Sequence, residues 1–240
     1  MRIKREKQRY YRDFTLLELM IVITIIMILT ALLLPSLKKA KETAHSISCQ
    51  GNLKQTGVAL SSYANDFNGN IMYANPPYVK YYNGVEAIQP WYLLLGSYGP
   101  YSILDYGVKI GRCGQKNRIL CPMQTISDSA VFSYADYSCN IWFMGTSTTG
   151  DSYLNHSLQM MQTPSEAPLI FDNGRVEGYG ITVVRSAMST FYEGYHLRAN
   201  HNKSANVLFG GMNARSVKRD ELGADGTFLR KGFNYATGNE

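Results

Sequence analysis

The order of apolar and polar positions divides the first quarter of the chain into two helical patterns. From Phe14 to Leu34 the residues are apolar except for three threonines and one ionised group, Glu18. At about 1.5 Å per residue, such a run is long enough to cross a bilayer. Beyond Pro35 the pattern becomes amphipathic. Leu37, Ala40, Ala44, Ile47, Gly51, Val58 and the set Leu60, Ala64 and Phe67 fall near helical spacing. Lys38, Lys41, Glu42, Lys54 and Gln55 fall largely elsewhere. Only Pro35 interrupts this run, and a proline inside a helix removes one hydrogen bond without having to end it. The run Asn65-Asp66-Phe67-Asn68-Gly69-Asn70 is the stop, because Asn and Gly accept the left-handed conformation that closes a helix. Its alternative reading, a calcium loop, fails on spacing. The glycine is one position early for an EF-hand, and no glutamate follows at the required offset. The pattern therefore predicts one continuous helix, with a membrane-spanning half (14–35) and an amphipathic half (36–67) that packs on a head.

The rest of the chain predicts short strands among long loops. Residues 71–110 are crowded with Tyr, Gly and Pro, which suits loops better than regular strands. Leu169–Asp172, Ile181–Arg185 and Asn206–Phe209 are apolar or β-branched runs that read as strands. Asn206–Phe209, Gly210-Gly211-Met212-Asn213 and Ala214–Val217 read as a hairpin whose Gly-Gly pair supplies positive φ. The tail from Gly223 to Glu240 has mixed polarity and is expected to be partly ordered at best. The fold class is α+β: a long N-terminal helix packed on a small antiparallel sheet with long loops, the head spanning 68–222. A head of that length can bury a core.

Charge sharpens the topology. The segment Met1–Asp13 carries six basic and two acidic residues, so it holds +4 of the formal +6 and leaves +2 for the remainder. The basic balance is therefore chiefly a topology signal, which makes nucleic acid an unlikely partner. It places the N-terminus in the cytoplasm by the positive-inside rule, with a single pass through the inner membrane and the head outside the cytoplasm. There an oxidising compartment permits disulfides among Cys49, Cys113, Cys121 and Cys139, which allow three complete pairings. Their spacing lacks C-x-x-C, so no metal site and no cofactor is expected.

Phe14-Thr15-Leu16-Leu17-Glu18, followed by about twenty apolar residues and Pro35, resembles the N-terminus of type IV pilins and type II secretion pseudopilins. The resemblance implies cleavage between Asp13 and Phe14 by a prepilin peptidase and methylation of the new amine. Glu18 would be the fifth mature residue and Pro35 the twenty-second. The family usually has Gly where this chain has Asp13. The segments Ile47–Gly57 and Tyr63–Gly69 narrow the likeness to a pseudopilin-like branch, with further similarity at Cys121-Pro122, Thr163–Glu166 and His201–Phe209. Relatives in that branch carry Asp-Gly-His where this chain has Gly211, Met212 and Asn213. The likeness is strong over 14–70 and patchy beyond.

The resemblance gives Glu18 a role. A carboxylate near the helix centre costs about 2.5–3.5 kcal/mol on insertion scales, so its presence implies a partner. In a pilin-like subunit that partner is the amine of a neighbouring chain, and pairing sets the stagger between subunits. The function implied is a structural subunit of a type II secretion or type IV pilus-like filament. The alternatives are a monomeric membrane-anchored binder of glycan or protein, and an anchored hydrolase with a site assembled in space. No nucleophile elbow, P-loop or dinucleotide loop is present, and Asp105, Asp128, Asp136, Asp151 and Asp172 are scattered, so no enzyme is expected. The chain's histidines are His45, His156, His196 and His201, and His196 and His201, in Tyr-His-Leu-Arg-Ala-Asn-His, read as surface-loop residues. The aromatic stretch 73–106 reads either as core cover or as a contact surface for glycan or protein. For the cysteines the proposed pairs are Cys49–Cys121, between the helix face expected to meet the head and a loop able to return to it, and Cys113–Cys139.

Overall fold

The computed structural model describes residues 14–72, 79–80, 86–87, 91, 95–96, 105–108, 119, 121–122, 137–144, 157–172, 183–184, 201–222 and 227–233. Helix α1 runs Leu16–Asp66 with Pro35 in its interior. The chain divides into two compact units, Met1–Lys41 and Glu42–Glu240.

In the first unit the described residues are the start of α1. Thr15 caps it, and Thr15-x-x-Glu18 forms a capping box. The Glu18 carboxylate accepts from the Thr15 backbone N–H and hydroxyl, both at 2.9 Å, while the Glu18 N–H donates to Thr15 Oγ1 at 3.2 Å. Farther along, Thr24 Oγ1 donates to the Met20 carbonyl and Thr30 Oγ1 to that of Ile26. These hydroxyls are satisfied within the helix. The large apolar side chains from Leu16 to Leu34 are 43–77% exposed. It is one helix long and apolar enough to cross a membrane.

In the second unit the continuation of α1 lies against a sheet. Its buried positions are Cys49, Leu53, Thr56, Gly57, Ala59, Leu60 and Ala64. This corrects the stripe expected from hydrophobicity. Leu37, Ile47 and Val58 are each about two-thirds exposed, and Gly51 is exposed. The true stripe steps 49, 53, 56/57, 60, 64, at helical spacing, but contains Thr, Gly and Ala. Small residues let a helix approach a sheet closely, so the contact face need not be the most apolar one. The helix closes as its Asn and Gly residues require. Asn68 has φ 55°, Gly69 has φ 83°, and the Gly69 N–H reaches back to the Ala64 carbonyl at 2.7 Å.

Two short strands, β1 (Val79–Lys80) and β2 (Glu86–Ala87), pair with each other. The main sheet holds β3 (Tyr137–Asn140), β4 (Pro168–Asp172), β5 (Val183–Val184), β6 (Ser204–Phe209) and β7 (Ala214–Lys218), in the order β5-β3-β4-β6-β7. Strands β3, β4, β6 and β7 are antiparallel. The two-residue β5 pairs parallel to β3, a departure from the antiparallel expectation. Of the expected strand at 181–185, the described residues are Val183–Val184, and β3 was not expected. Its four residues, Tyr-Ser-Cys-Asn, are all buried and carry no alternation, so no period-2 signal marks them.

Period 2 explains the rest of the sheet. Along β6, Asn206 and Leu208 face α1, while Ala205, Val207 and Phe209 join a second cluster with Phe171, Val217, Leu222, Phe228 and Leu229. The last three come from α2 (Arg219–Leu222) and α3 (Thr227–Arg230). Of the tail expected to be partly ordered, residues 227–233 are described. Phe228 and Leu229 are buried, and Phe233 bridges to Met161. Asn140 ties this face together, donating to the carbonyls of Pro168 and Leu229 at 2.9 and 2.7 Å. The β6–β7 hairpin is found, but Met212 holds the positive φ, at 59°, not the glycines. Gly210 is needed for space: a Cβ there would overlap Met161 Sδ.

Candidate metal centre

One end of the sheet face that meets α1 gathers four ligand-type side chains: Cys49, Cys121, Asp172 and His201. Their ligand atoms all lie within 4.8 Å of one another, and all four residues are buried. Each comes from a different segment. Cys49 sits on the buried stripe of α1, and Cys121 on the loop before Pro122. Asp172 is the last residue of β4. Its place follows from strand pairing, since β4 lies between β3 and β6 and Tyr137 is the cross-strand partner of Asp172. His201 enters through a two-residue turn, His201 to Ser204, with Asn202 and Lys203 at φ 49° and 63°. Two left-handed central residues make the tight hairpin that delivers the imidazole to the head of β6.

The contacts are specific. Cys49 Sγ donates to Cys121 Sγ at 2.8 Å, and Cys121 Sγ lies 3.5 Å from His201 Nε2. That nitrogen is 3.3 Å from Asp172 Oδ2, which also accepts from the Asn206 N–H at 2.7 Å. The other carboxylate oxygen, Oδ1, and His201 Nδ1 are buried without a hydrogen-bond partner. Native interiors rarely leave such atoms unsatisfied, and each costs about 1–3 kcal/mol. Around the cluster, Asn52 Nδ2 donates to the Tyr137 hydroxyl at 3.0 Å.

The electrostatics fit a crowded anionic site. The hydrogen bond to Cys121, then burial, then the Asp172 charge push the Cys49 thiol upward. Burial alone would lower His201, but its hydrogen bonds to Asp172 and Cys121 and the charge of Asp172 outweigh this and raise it to about 9. Burial, followed by the neighbouring Cys49, Asp172 and Cys121, raises Tyr137.

Several sequence expectations meet their outcome here. Cys49 and Cys121 do come together, but at 2.8 Å their contact is a thiol hydrogen bond, since a disulfide needs about 2.05 Å. Cys113 lies outside the described residues, and with it the Cys113–Cys139 pairing. Cys139 is buried in β3, which pushes its thiol well up. His201 is not a surface residue: it is 2% exposed. His156 and His196 lie outside the described residues. Asp172, one of five scattered aspartates, is the acidic member of the cluster. The expectation of no metal site rested on sequence spacing, and spacing is silent when every ligand comes from a separate segment. The available signal was the placing of Asp172 and His201 at the ends of apolar strands, facing the helix that carries Cys49.

The assembly residues fare differently. Phe14 and Glu18 are exposed, Pro35 is interior to α1, and Asp13 lies outside the described residues. Of the aromatic stretch, Trp91 is fully buried and so unavailable for sugar stacking. Tyr106 donates to Asp66 at 2.9 Å and packs edge-on against Tyr63, serving the end of α1. The tyrosines from Tyr73 to Tyr101 lie outside the described residues. Comparison with protein-family models, with curated proteins and with solved structures finds no match.

Proposed function

We propose that this chain is a membrane-anchored structural subunit of the pilin-like type, exported by the prepilin route and able to enter a filament with other such subunits. One observation carries the reading: a single helix whose apolar first half is exposed and whose mixed second half is buried in its own head. A bare row of large apolar side chains needs lipid or other helices around it. Lipid supplies the first environment, with the basic leader cytoplasmic and the head outside. Packing against neighbouring helices supplies the second. Cleavage by a prepilin peptidase after Asp13 would free the Phe14 amine, and Glu18 of one subunit would pair with the amine of the next.

The capping box supports a competing account. It gives Glu18 a task inside a lone subunit, as a monomeric anchored binder would need. Two substitutions separate the accounts. Glu18→Gln keeps the shape and the capping capacity, because Gln serves at this position of a capping box, but it loses the charge. Glu18→Ala loses both. With charge pairing, both variants insert and fold yet cross-link poorly in membranes and fail to enter filaments. If the Gln variant assembles like the parent while Ala does not, Glu18 is a cap and the charge-pairing mechanism is wrong. If both assemble normally, the monomeric binder is the better account.

A further inference from the structure

We propose that Cys49, Cys121, Asp172 and His201 form a closed structural zinc site in the head, independent of whether the chain assembles into filaments. The donor set selects the ion. Two thiolates and an imidazole suit zinc, and the carboxylate argues against copper(I), which prefers soft ligands throughout. Four protein ligands complete a tetrahedron, so no position is left open for water, and the site is structural rather than catalytic.

Distances support the geometry. With Zn–S near 2.3 Å and Zn–N and Zn–O near 2.1 Å, a tetrahedron has N···O edges of about 3.4 Å and S···N edges of about 3.6 Å. His201 Nε2 lies 3.3 Å from Asp172 Oδ2 and 3.5 Å from Cys121 Sγ. The sulfur pair departs from this: an S···S edge is about 3.8 Å, so Cys49 and Cys121 would part by about 1 Å to admit the ion, and the widest separations, within 4.8 Å, would close. Zinc binds the thiolate forms, so its entry would displace the thiol protons.

A second observation is the burial and fixed orientation of the Asp172 carboxylate. Its side chain is 1% exposed, and both His201 Nε2 and the Asn206 N–H meet the same oxygen, Oδ2. That amide fixes the carboxylate in the way outer-shell partners orient metal ligands. Because the four ligands come from α1, the Cys121 loop, β4 and the turn before β6, the ion would clamp the helix to the sheet. Metal binding would then contribute to the folding of the head.

The test uses the full chain, solubilised and kept reduced. After removal of metal, zinc alone is titrated and bound metal counted by elemental analysis. About one zinc per chain is expected, with a rise in melting temperature that a chelator reverses. Cobalt(II) in its place should give thiolate-to-cobalt charge-transfer absorption. Cys49→Ser and Asp172→Asn should each cut bound zinc to below about a tenth per chain. The parent measurements stand even if a variant fails to fold. Less than about a tenth of a zinc on the reduced parent overturns the proposal. A complete Cys49–Cys121 disulfide in protein taken directly from membranes does so too. Full binding retained by both variants would place the ion elsewhere and reject these ligands.

Discussion

The two halves of α1 invert the usual relation between hydrophobicity and burial. Residues 16–34 are Leu, Ile, Met and Val almost throughout, and the large ones are about half or more exposed. Residues 49–64 mix Cys, Leu, Thr, Gly and Ala, and their inner stripe is almost wholly buried. An apolar run reports the solvent a segment is built for, whereas burial in a head is decided by fit. On the proposed reading the medium of the first half is lipid or neighbouring helices, where one apolar side chain is nearly as good as another. In the second half the partner is a particular sheet, and small residues at particular positions matter more than bulk. Mutations should therefore act through different quantities in the two halves.

The largest contrast is between Leu60 and Leu29. Leu60 is fully buried and Leu29 is 54% exposed. Leu60→Ala should lower head stability by about 2–5 kcal/mol, as for other buried leucine truncations. Leu29→Ala should leave head stability within about 0.5 kcal/mol. Leu29→Asp should instead hinder insertion, by about 2.5–3.5 kcal/mol on translocon scales. Denaturant unfolding followed by tryptophan fluorescence reads the first pair, and a glycosylation-based insertion assay reads the third. Equal loss of head stability from Leu29→Ala would break the division of α1 into two environments.

A smaller effect is expected where the helix meets β6 through polar groups. Asn206 is fully buried, and its Oδ1 accepts from Ser46 Oγ at 3.0 Å and Gln50 Nε2 at 3.1 Å. Asn206→Ala should cost about 1–2 kcal/mol, because Ser46 and Gln50 are only partly buried and water can satisfy them. Zinc binding should survive, since the contact to Asp172 comes from the Asn206 backbone. A cost above about 4 kcal/mol would mean that this polar contact, not the small-residue stripe, holds the helix to the sheet.

The same contrast explains what was legible in the sequence. The long helix, its stop at Asn68-Gly69 and three of the four longer strands follow from periodicity and turn chemistry, which are local. The helix face that packs was misread because Ile47 and Val58 outscore Thr56 and Gly57 in hydrophobicity, while the sheet selects for close approach. Strand β3 was missed because burial on both sides removes alternation. The helix that holds Phe228 and Leu229 could not be read, because four residues are too few to show a period. The cluster of Cys49, Cys121, Asp172 and His201 was invisible to motif spacing. Its members are brought together by strand order and by a hairpin turn, neither of which a linear pattern encodes. The capping box was written in Thr15-x-x-Glu18 but was passed over, because Glu18 was read only as an assembly charge.

The smallest expected effects test fit directly, at two glycines of α1. Gly51 is exposed, and a Cβ built there meets nothing within 4 Å. Gly57 is buried, and its Cβ would meet Leu208 Cδ1 at 3.0 Å, Met212 Sδ at 3.4 Å and Leu208 Cδ2 at 3.5 Å. Replacing a helical glycine by alanine gains up to about 1 kcal/mol in helix propensity. Gly51→Ala should realise most of that gain as a higher denaturant midpoint. At Gly57 the same gain is opposed by crowding. Both methyls of Leu208 point at the new carbon, so rotating that side chain exchanges one contact for the other. Leu208 is also fully buried in β6 and has little room to retreat. Overpacking of this kind costs about 1–3 kcal/mol. Gly57→Ala should therefore be net destabilising, by about 1 kcal/mol. If it stabilises as much as Gly51→Ala, the sheet yields freely to the helix, and close approach is not what selects the buried stripe.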